Sequence, residues 1–178
     1  MLKERNNKLS IDTTIENDVT TIEHAQIPEA KSPEIYFGAW RNERLGNGPQ
    51  FIEGEHVYER PSFLEKNKVY FVGLWDTFQQ FAQNKSVNAS ILFVYEAKNV
   101  NIVASSSASV EVIVTIDDSP VPLEMRGKHI TEQNGETILR IKDEQLYEII
   151  QDISGVSEHS LKLEVLKPGL DVFTFTFG

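Results

Sequence analysis

The sequence predicts an all-β domain, an antiparallel β-sandwich of jelly-roll type with an irregular or partly helical N-terminal arm. Three observations carry that expectation. Apolar and polar residues alternate with period two in several segments, as half-buried strands require. About eight such short segments follow one another between clusters of turn-forming residues. No helical segments alternate with them as in parallel βαβ units, and no repeat of roughly 20–50 residues recurs to suggest a propeller or solenoid.

Residues 1–31 read as an arm or linker, mostly polar and charged, in which Thr13-Thr14, Thr20-Thr21 and Pro28 prevent a sustained apolar period. Ile11, Ile15, Val19 and Ile22 could pattern a short helix, but the Thr and Asn content opposes it. The sandwich is expected over residues 32–178. Its first strands are Lys68–Trp75, Ser90–Glu96 and Val100–Ala104. Ser109–Asp117 is the clearest, with Val110, Val112, Val114 and Ile116 on one face and Glu111, Ile113, Thr115 and Asp117 on the other. It runs into a turn at Asp118-Ser119-Pro120, after which Val121–Met125 reads as a strand that Pro122 confines to a sheet edge. Thr137–Ile141 and Ser160–Leu166 follow. In Asp171–Phe177, Val172, Thr174 and Thr176 face one way and Phe173, Phe175 and Phe177 the other, and three rings on one face ask for a deep core. Residues 143–153 are ambiguous, because Leu146, Ile149, Ile150 and Ile153 recur at helical spacing. Gly155 close behind, strands on either side and the β-compatible Tyr147 and isoleucines favour a strand.

The 178 residues suffice for one good core, and 40% hydrophobic with 25% charged residues is the profile of a folded chain. Seventeen Lys and Arg against 27 Asp and Glu give a net charge of -10, so nucleic acid and anionic membrane are repelled over most of the surface. The absence of cysteine excludes a disulfide framework, a thiolate nucleophile and any Cys-ligated metal. No signal-like apolar run follows Met1 and no stretch approaches a membrane span, so membrane insertion is not expected; a piece of a larger exported protein would look the same.

Several short motifs, in order, resemble a known family. Ser32-Pro33-Glu34-Ile35-Tyr36-Phe37-Gly38, Gly73-Leu74-Trp75, Ala97-Lys98-Asn99-Val100 and the terminal Phe173-Thr174-Phe175-Thr176-Phe177-Gly178 resemble the C-terminal domain attached to thioredoxin-like proteins of the DipZ type. The resemblance covers about Ser32 to Gly178. It implies a jelly roll similar to carbohydrate-binding modules, beside a thioredoxin-like domain in cis or trans, in exported or membrane-bound thiol-disulfide proteins and so in an extracytoplasmic setting, periplasm or cell envelope. The C-x-x-C portion is absent from this chain, so thiol chemistry would belong to another domain. Asp117-Asp118-Ser119-Pro120 stands where that family more usually has D-G-x-P, and without Gly the turn need not be of the type requiring positive φ.

Sugar recognition needs flat aromatic faces and planar polar groups, which Trp40 and Arg41, and Trp75 and Asp76, supply within a few residues. Trp40 lies in a loop. Trp75 ends an apolar strand and reads first as a core aromatic, second as a platform. Tyr70, Tyr95 and Tyr147 read as half-buried strand tyrosines with bonded hydroxyls. His24, His56, His129 and His159 lack metal-site spacing, and Glu53, Glu55, His56 and Glu59 read as a solvated acidic turn before a cation loop. No G-x-S-x-G elbow, P-loop or dinucleotide fingerprint is present, and no cofactor is expected. The expected function is a non-catalytic binding or accessory module of a thioredoxin-like thiol-disulfide protein, with carbohydrate as the candidate ligand. The alternative is a docking domain that packs on a thioredoxin domain without a small ligand, and an enzyme ranks last.

Overall fold

Among the described residues, alternating β-branched and aromatic residues build thirteen strands: β1 (Ile35–Tyr36), β2 (Gly54–Tyr58), β3 (Val69–Thr77), β4 (Ala82–Asn84), β5 (Ala89–Ala97), β6 (Asn99–Ser106), β7 (Val110–Ile116), β8 (Ser119–Pro120), β9 (Ile130–Gln133), β10 (Glu136–Ile141), β11 (Gln145–Gln151), β12 (Ser157–Val165) and β13 (Leu170–Phe177). The computed structural model describes residues 31–178; the expected arm, with Ile11, Ile15, Val19 and Ile22, lies outside them except for Lys31. One sheet runs β11-β6-β13-β4-β3-β2 with β1 also paired to β13, the other β3-β5-β12-β7-β10-β9 with β8 paired to β7, and every strand pair is antiparallel. From β5 to β7, and again from β10 to β13, successive strands alternate between the sheets and cross the core each time. That alternation makes the antiparallel sandwich a jelly roll.

β3 belongs to both sheets. Val69–Val72 pair with β5 in the second, and Gly73–Thr77 pair with β2 in the first. The corner falls at Gly73, whose φ is 89° and where a Cβ would stand 2.7 Å from Ser86 Oγ. Glycine is needed there for backbone and space alike.

β6 and β7 alternate as their sequences demand, with Val100, Ile102 and Ala104, and Val110, Val112, Val114 and Ile116, turned inward. Phe71 stacks on Trp75 at 4.3 Å, and Phe175 packs 5.2 Å from Phe37 and 5.7 Å from Phe93. All five rings are buried; each contributes roughly 2–3 kcal/mol of apolar burial.

Four local expectations meet a physical correction or resolution. In β13, Val172 pairs with Ala104 but Thr174 with Val103, so Phe173 is a bulged extra residue. Phe175 and Phe177 keep the inner face while Phe173 leaves it. In β11 the register likewise shifts between Glu148 and Ile150, which turns the adjacent Ile149 and Ile150 both inward. That bulge accounts for the adjacent Ile149 and Ile150 of the helix-like spacing, whereas Leu146 and Ile153 are exposed. Val121–Met125 is not an edge strand: Val121 is buried with its N–H donating to Thr137 Oγ1 at 3.0 Å, and after Pro122 the chain forms a 3-10 turn at Leu123–Met125. The two-residue β7–β8 loop does need positive φ, with Asp117 at 50° and Asp118 at 61°. It is a mirror-image turn built on aspartates instead of glycine.

Candidate functional site

The outer face of the first sheet carries a groove. Its far end is the loop after β1, where Ala39 and Trp40 donate backbone N–H groups to Phe78 O at 2.8 Å and Gln79 O at 3.0 Å. These bonds strap the loop to the β3–β4 turn. The contact demands glycine at position 38, where a Cβ would lie 2.2 Å from the Gln80 carbonyl carbon. The strap presents Trp40 with 61% of its surface exposed. Beside it the Arg41 guanidinium sits 3.5 Å over the Tyr36 ring, and the Tyr36 hydroxyl donates to Glu34, a bond that raises the phenol above its ordinary pKa.

Trp40, Arg41, Tyr36 and Thr174 wall a pocket of about 360 Å³, and a second of about 500 Å³ adjoins it through the shared Gln80 and Phe173. The second pocket is lined by Phe78, Phe81 and Phe173. Phe78 stacks on Phe81 at 4.6 Å and Phe81 lies 5.4 Å from Phe173. Phe173 reaches this shelf because of its bulge. A polar row crosses the same face: Asp76 is in register with Gln83, and Gln83 with Asp171, which accepts from Gln83 Nε2 at 2.7 Å and from Ser105 Oγ at 3.4 Å. Stacked rings beside a carboxylate, an amide and a hydroxyl combine flat apolar faces with hydrogen-bonding groups on one surface.

Of the four residues singled out by sequence, Trp40 and Arg41 line the groove. Asp76 shares its face but not its wall, with its carboxylate 3.4 Å from Lys85. Trp75 has no exposed surface and donates Nε1–H to Val72 O at 3.0 Å, so its ring serves the core and offers no platform. Sequence reasoning missed Phe78 and Phe81, although two phenylalanines flanking a Gln79-Gln80 loop are a legible signal. It missed Phe173 because nothing local announces a bulge. Glu55 and His56 point to opposite faces of β2, so the acidic segment does not converge.

At one end of the second sheet His159 Nδ1 lies 2.7 Å from Asp117 Oδ2 and Nε2 lies 2.9 Å from Ser157 Oγ, the spacing of a hydrolytic triad. Ser157 Oγ is also 2.8 Å from Asp152 Oδ2, and the adjoining pocket of about 520 Å³ has His159 and Asp117 in its wall but not Ser157. A hydroxyl tied to a buried carboxylate and outside the pocket wall is poorly placed to attack a substrate. The cluster instead joins the β7–β8 turn, β12 and the β11–β12 loop. Burial pushes the Asp152 carboxyl up, but bonds from Ser154 and Ser157 outweigh it and leave the group below its ordinary value. Asp117 is likewise lowered, burial being outweighed by the Ser160 N–H and His159. Tyr70 and Tyr147 have bonded hydroxyls, whereas the buried Tyr95 hydroxyl has no partner among the described residues, and burial raises its pKa.

The sequence profile described as Thioredoxin like C-terminal domain matches residues 32–178. Protein DipZ of Mycobacterium bovis and of Mycobacterium tuberculosis are each 30% identical to the chain over 150 residues, covering 84% of this chain and 19% of theirs. The chain thus spans about a fifth of the length of these relatives. A family two carbohydrate esterase from Cellvibrio japonicus superposes with a TM-score of 0.47 at 11% identity, over 84% of this chain and 34% of that one.

Proposed function

We propose that this chain, which belongs to the family of thioredoxin-like C-terminal domains, is a non-catalytic accessory module that binds carbohydrate in the groove across its first sheet. The observation that carries the reading is the continuity of the exposed Trp40, the Phe78–Phe81–Phe173 shelf and the Asp171–Gln83–Ser105 bonds on one concave face. Aromatic faces take the C–H side of a sugar while the bonded polar row fixes its hydroxyls. Having no cysteine, the chain has no thiol chemistry of its own, and redox work falls to a thioredoxin-like domain in cis or trans. Its likeness to the DipZ proteins supports an extracytoplasmic setting, where glycans are at hand. Nucleic acid is disfavoured by the net charge of -10, and among the described residues no helix is long and apolar enough to cross a membrane.

A glycan array read together with tryptophan emission tests this reading. Trp75 is buried, so Trp40 alone of the two tryptophans can report a sugar at the groove. Saturable binding with a Trp40 shift supports the reading, and silence across neutral, basic and acidic glycans removes it.

The second reading, docking on a thioredoxin domain, draws on a different surface. Lys31 and Ser32 donate their N–H groups to Glu96 O, so the chain enters the domain beside Lys66 and the pocket that holds Phe63, which is 73% exposed. If that surface docks a thioredoxin domain, Phe63→Asp weakens the association. An added thioredoxin domain that neither binds nor changes its disulfide-reduction rate would count against it.

A further inference from the structure

The groove is electrically asymmetric. Its Trp40 end holds one cation, Arg41, committed to the Tyr36 ring. The wider end gathers three carboxylates from remote segments: Glu53 before β2, Glu144 in the β10–β11 turn and Asp171 on β13. Among the described residues no lysine or arginine lines that end. Lys85, at the side of the shelf, lies 5.8 Å from the Phe78 centroid and pairs with Asp76. Asp171 is fixed by Gln83 and Ser105, whereas Glu53 and Glu144 make no ion pair among the described residues. Acidic residues are plentiful in this chain, but here three line one concavity with an aromatic floor. Carboxylates around stacked rings complement a ligand that is apolar on one side and positively charged at a single point, because ring faces and carboxylates both attract an ammonium group. An acidic sugar meets repulsion there, and a neutral one gains nothing from the charge.

Building on the carbohydrate reading above, we propose that the groove prefers amino sugars with a free, unacetylated amine, held with the ring on Phe81 and Phe173 and the ammonium group toward Glu53, Glu144 and Asp171. The amine is the specificity element and the aromatic shelf the general one. Because the two exposed glutamates are far from the core, replacing them leaves the fold intact.

Titration calorimetry of the full chain with glucosamine oligomers, and with the same oligomers after N-acetylation, decides the matter. The free-amine oligomers should bind about tenfold more tightly, an advantage that shrinks as salt is raised. In the double variant E53Q/E144Q it should fall to about threefold or less while binding of the acetylated oligomers is kept. Equal or reversed preference in the parent chain overturns the amine assignment and leaves carbohydrate binding standing, as does a preference untouched by E53Q/E144Q. Failure of both oligomers, with every other glycan also silent, removes the carbohydrate reading itself. Spermidine binding as tightly as the glucosamine oligomers shows that the pocket reads charge without sugar, and also overturns the proposal.

Discussion

Asp152→Ala is the perturbation that best tests the structural role of the Asp117–His159–Ser157–Asp152 cluster. The Asp152 carboxylate is only 4% exposed and accepts three hydrogen bonds, from Ser154 N at 2.8 Å, Ser154 Oγ at 2.5 Å and Ser157 Oγ at 2.8 Å. Bonds to a charged acceptor are worth more than neutral ones, but Ser154 sits in a loop and Ser157 at the very start of β12, where both recover water, so the loss is about 1 kcal/mol each and roughly 3 kcal/mol in all. For a domain of this size that lowers the melting temperature by roughly 6–12 °C. The pH dependence has a definite sign. The folded-state carboxyl is depressed, so its contribution is fully present above the unfolded value of ~3.9 and is lost as pH falls through the folded one. Thermal melts followed by circular dichroism at pH 7 and at stepwise lower pH should therefore show a wide gap between parent and variant that closes in acid. Ser157→Ala, which removes one of the three bonds, should cost about 1 kcal/mol. A variant melting within a degree of the parent at pH 7, or a gap that widens in acid, refutes the reasoning.

Trp40→Ala removes an exposed ring, so its melting temperature should stay within about 1 °C of the parent while glycan affinity falls five- to tenfold, the worth of roughly 1–1.5 kcal/mol of stacking. Emission from the variant should be that of the buried Trp75 alone. Asp118→Gly should stabilise by about 0.5–1 kcal/mol in a denaturant titration, since glycine accepts the φ of 61° without the cost an aspartate bears. Gly73→Ala should destabilise by about 2 kcal/mol in the same titration, because φ is 89° and the new Cβ meets Ser86 Oγ. A neutral result at Gly73 would mean that the corner of β3 can relax.

Where a strand stays in register its neighbours add nothing to the pattern, and the sequence is enough. β7 is such a strand: the alternation of Val110, Val112, Val114 and Ile116 with Glu111, Ile113 and Thr115 appears unchanged in the fold. β11 and β13 carry bulges, and a bulge is set by the partner strand, here β6 in both cases. A period counted along one chain cannot see it. The consequences differ: in β11 the bulge gives two adjacent inward isoleucines that imitate a helix, and in β13 it expels one ring of three. The hairpin at Asn134–Gly135, with φ of 54° and 81°, carried a legible turn signal between β9 and β10, whereas Asp117–Asp118 disguised the same geometry.

The groove follows from the second of those bulges. Strict alternation in β13 would keep Asp171, Phe173, Phe175 and Phe177 on one face, so no single register could hold Phe175 in the core and Asp171 outside it. Insertion of one unpaired residue instead turns Phe173 toward Phe81, 5.4 Å away, while Asp171 on the near side of the bulge keeps its place opposite Ser105. Ring and carboxylate share one face by the ordinary spacing of two, and the bulge turns Phe175 and Phe177 to the other. Trp40 and Arg41 were legible because they lie in a loop, where exposure follows from the absence of periodicity. The shelf on which they border is completed by a register choice made between β13 and β6, so Phe173, unlike Phe78 and Phe81 beside their loop, could be placed only from the paired sheet.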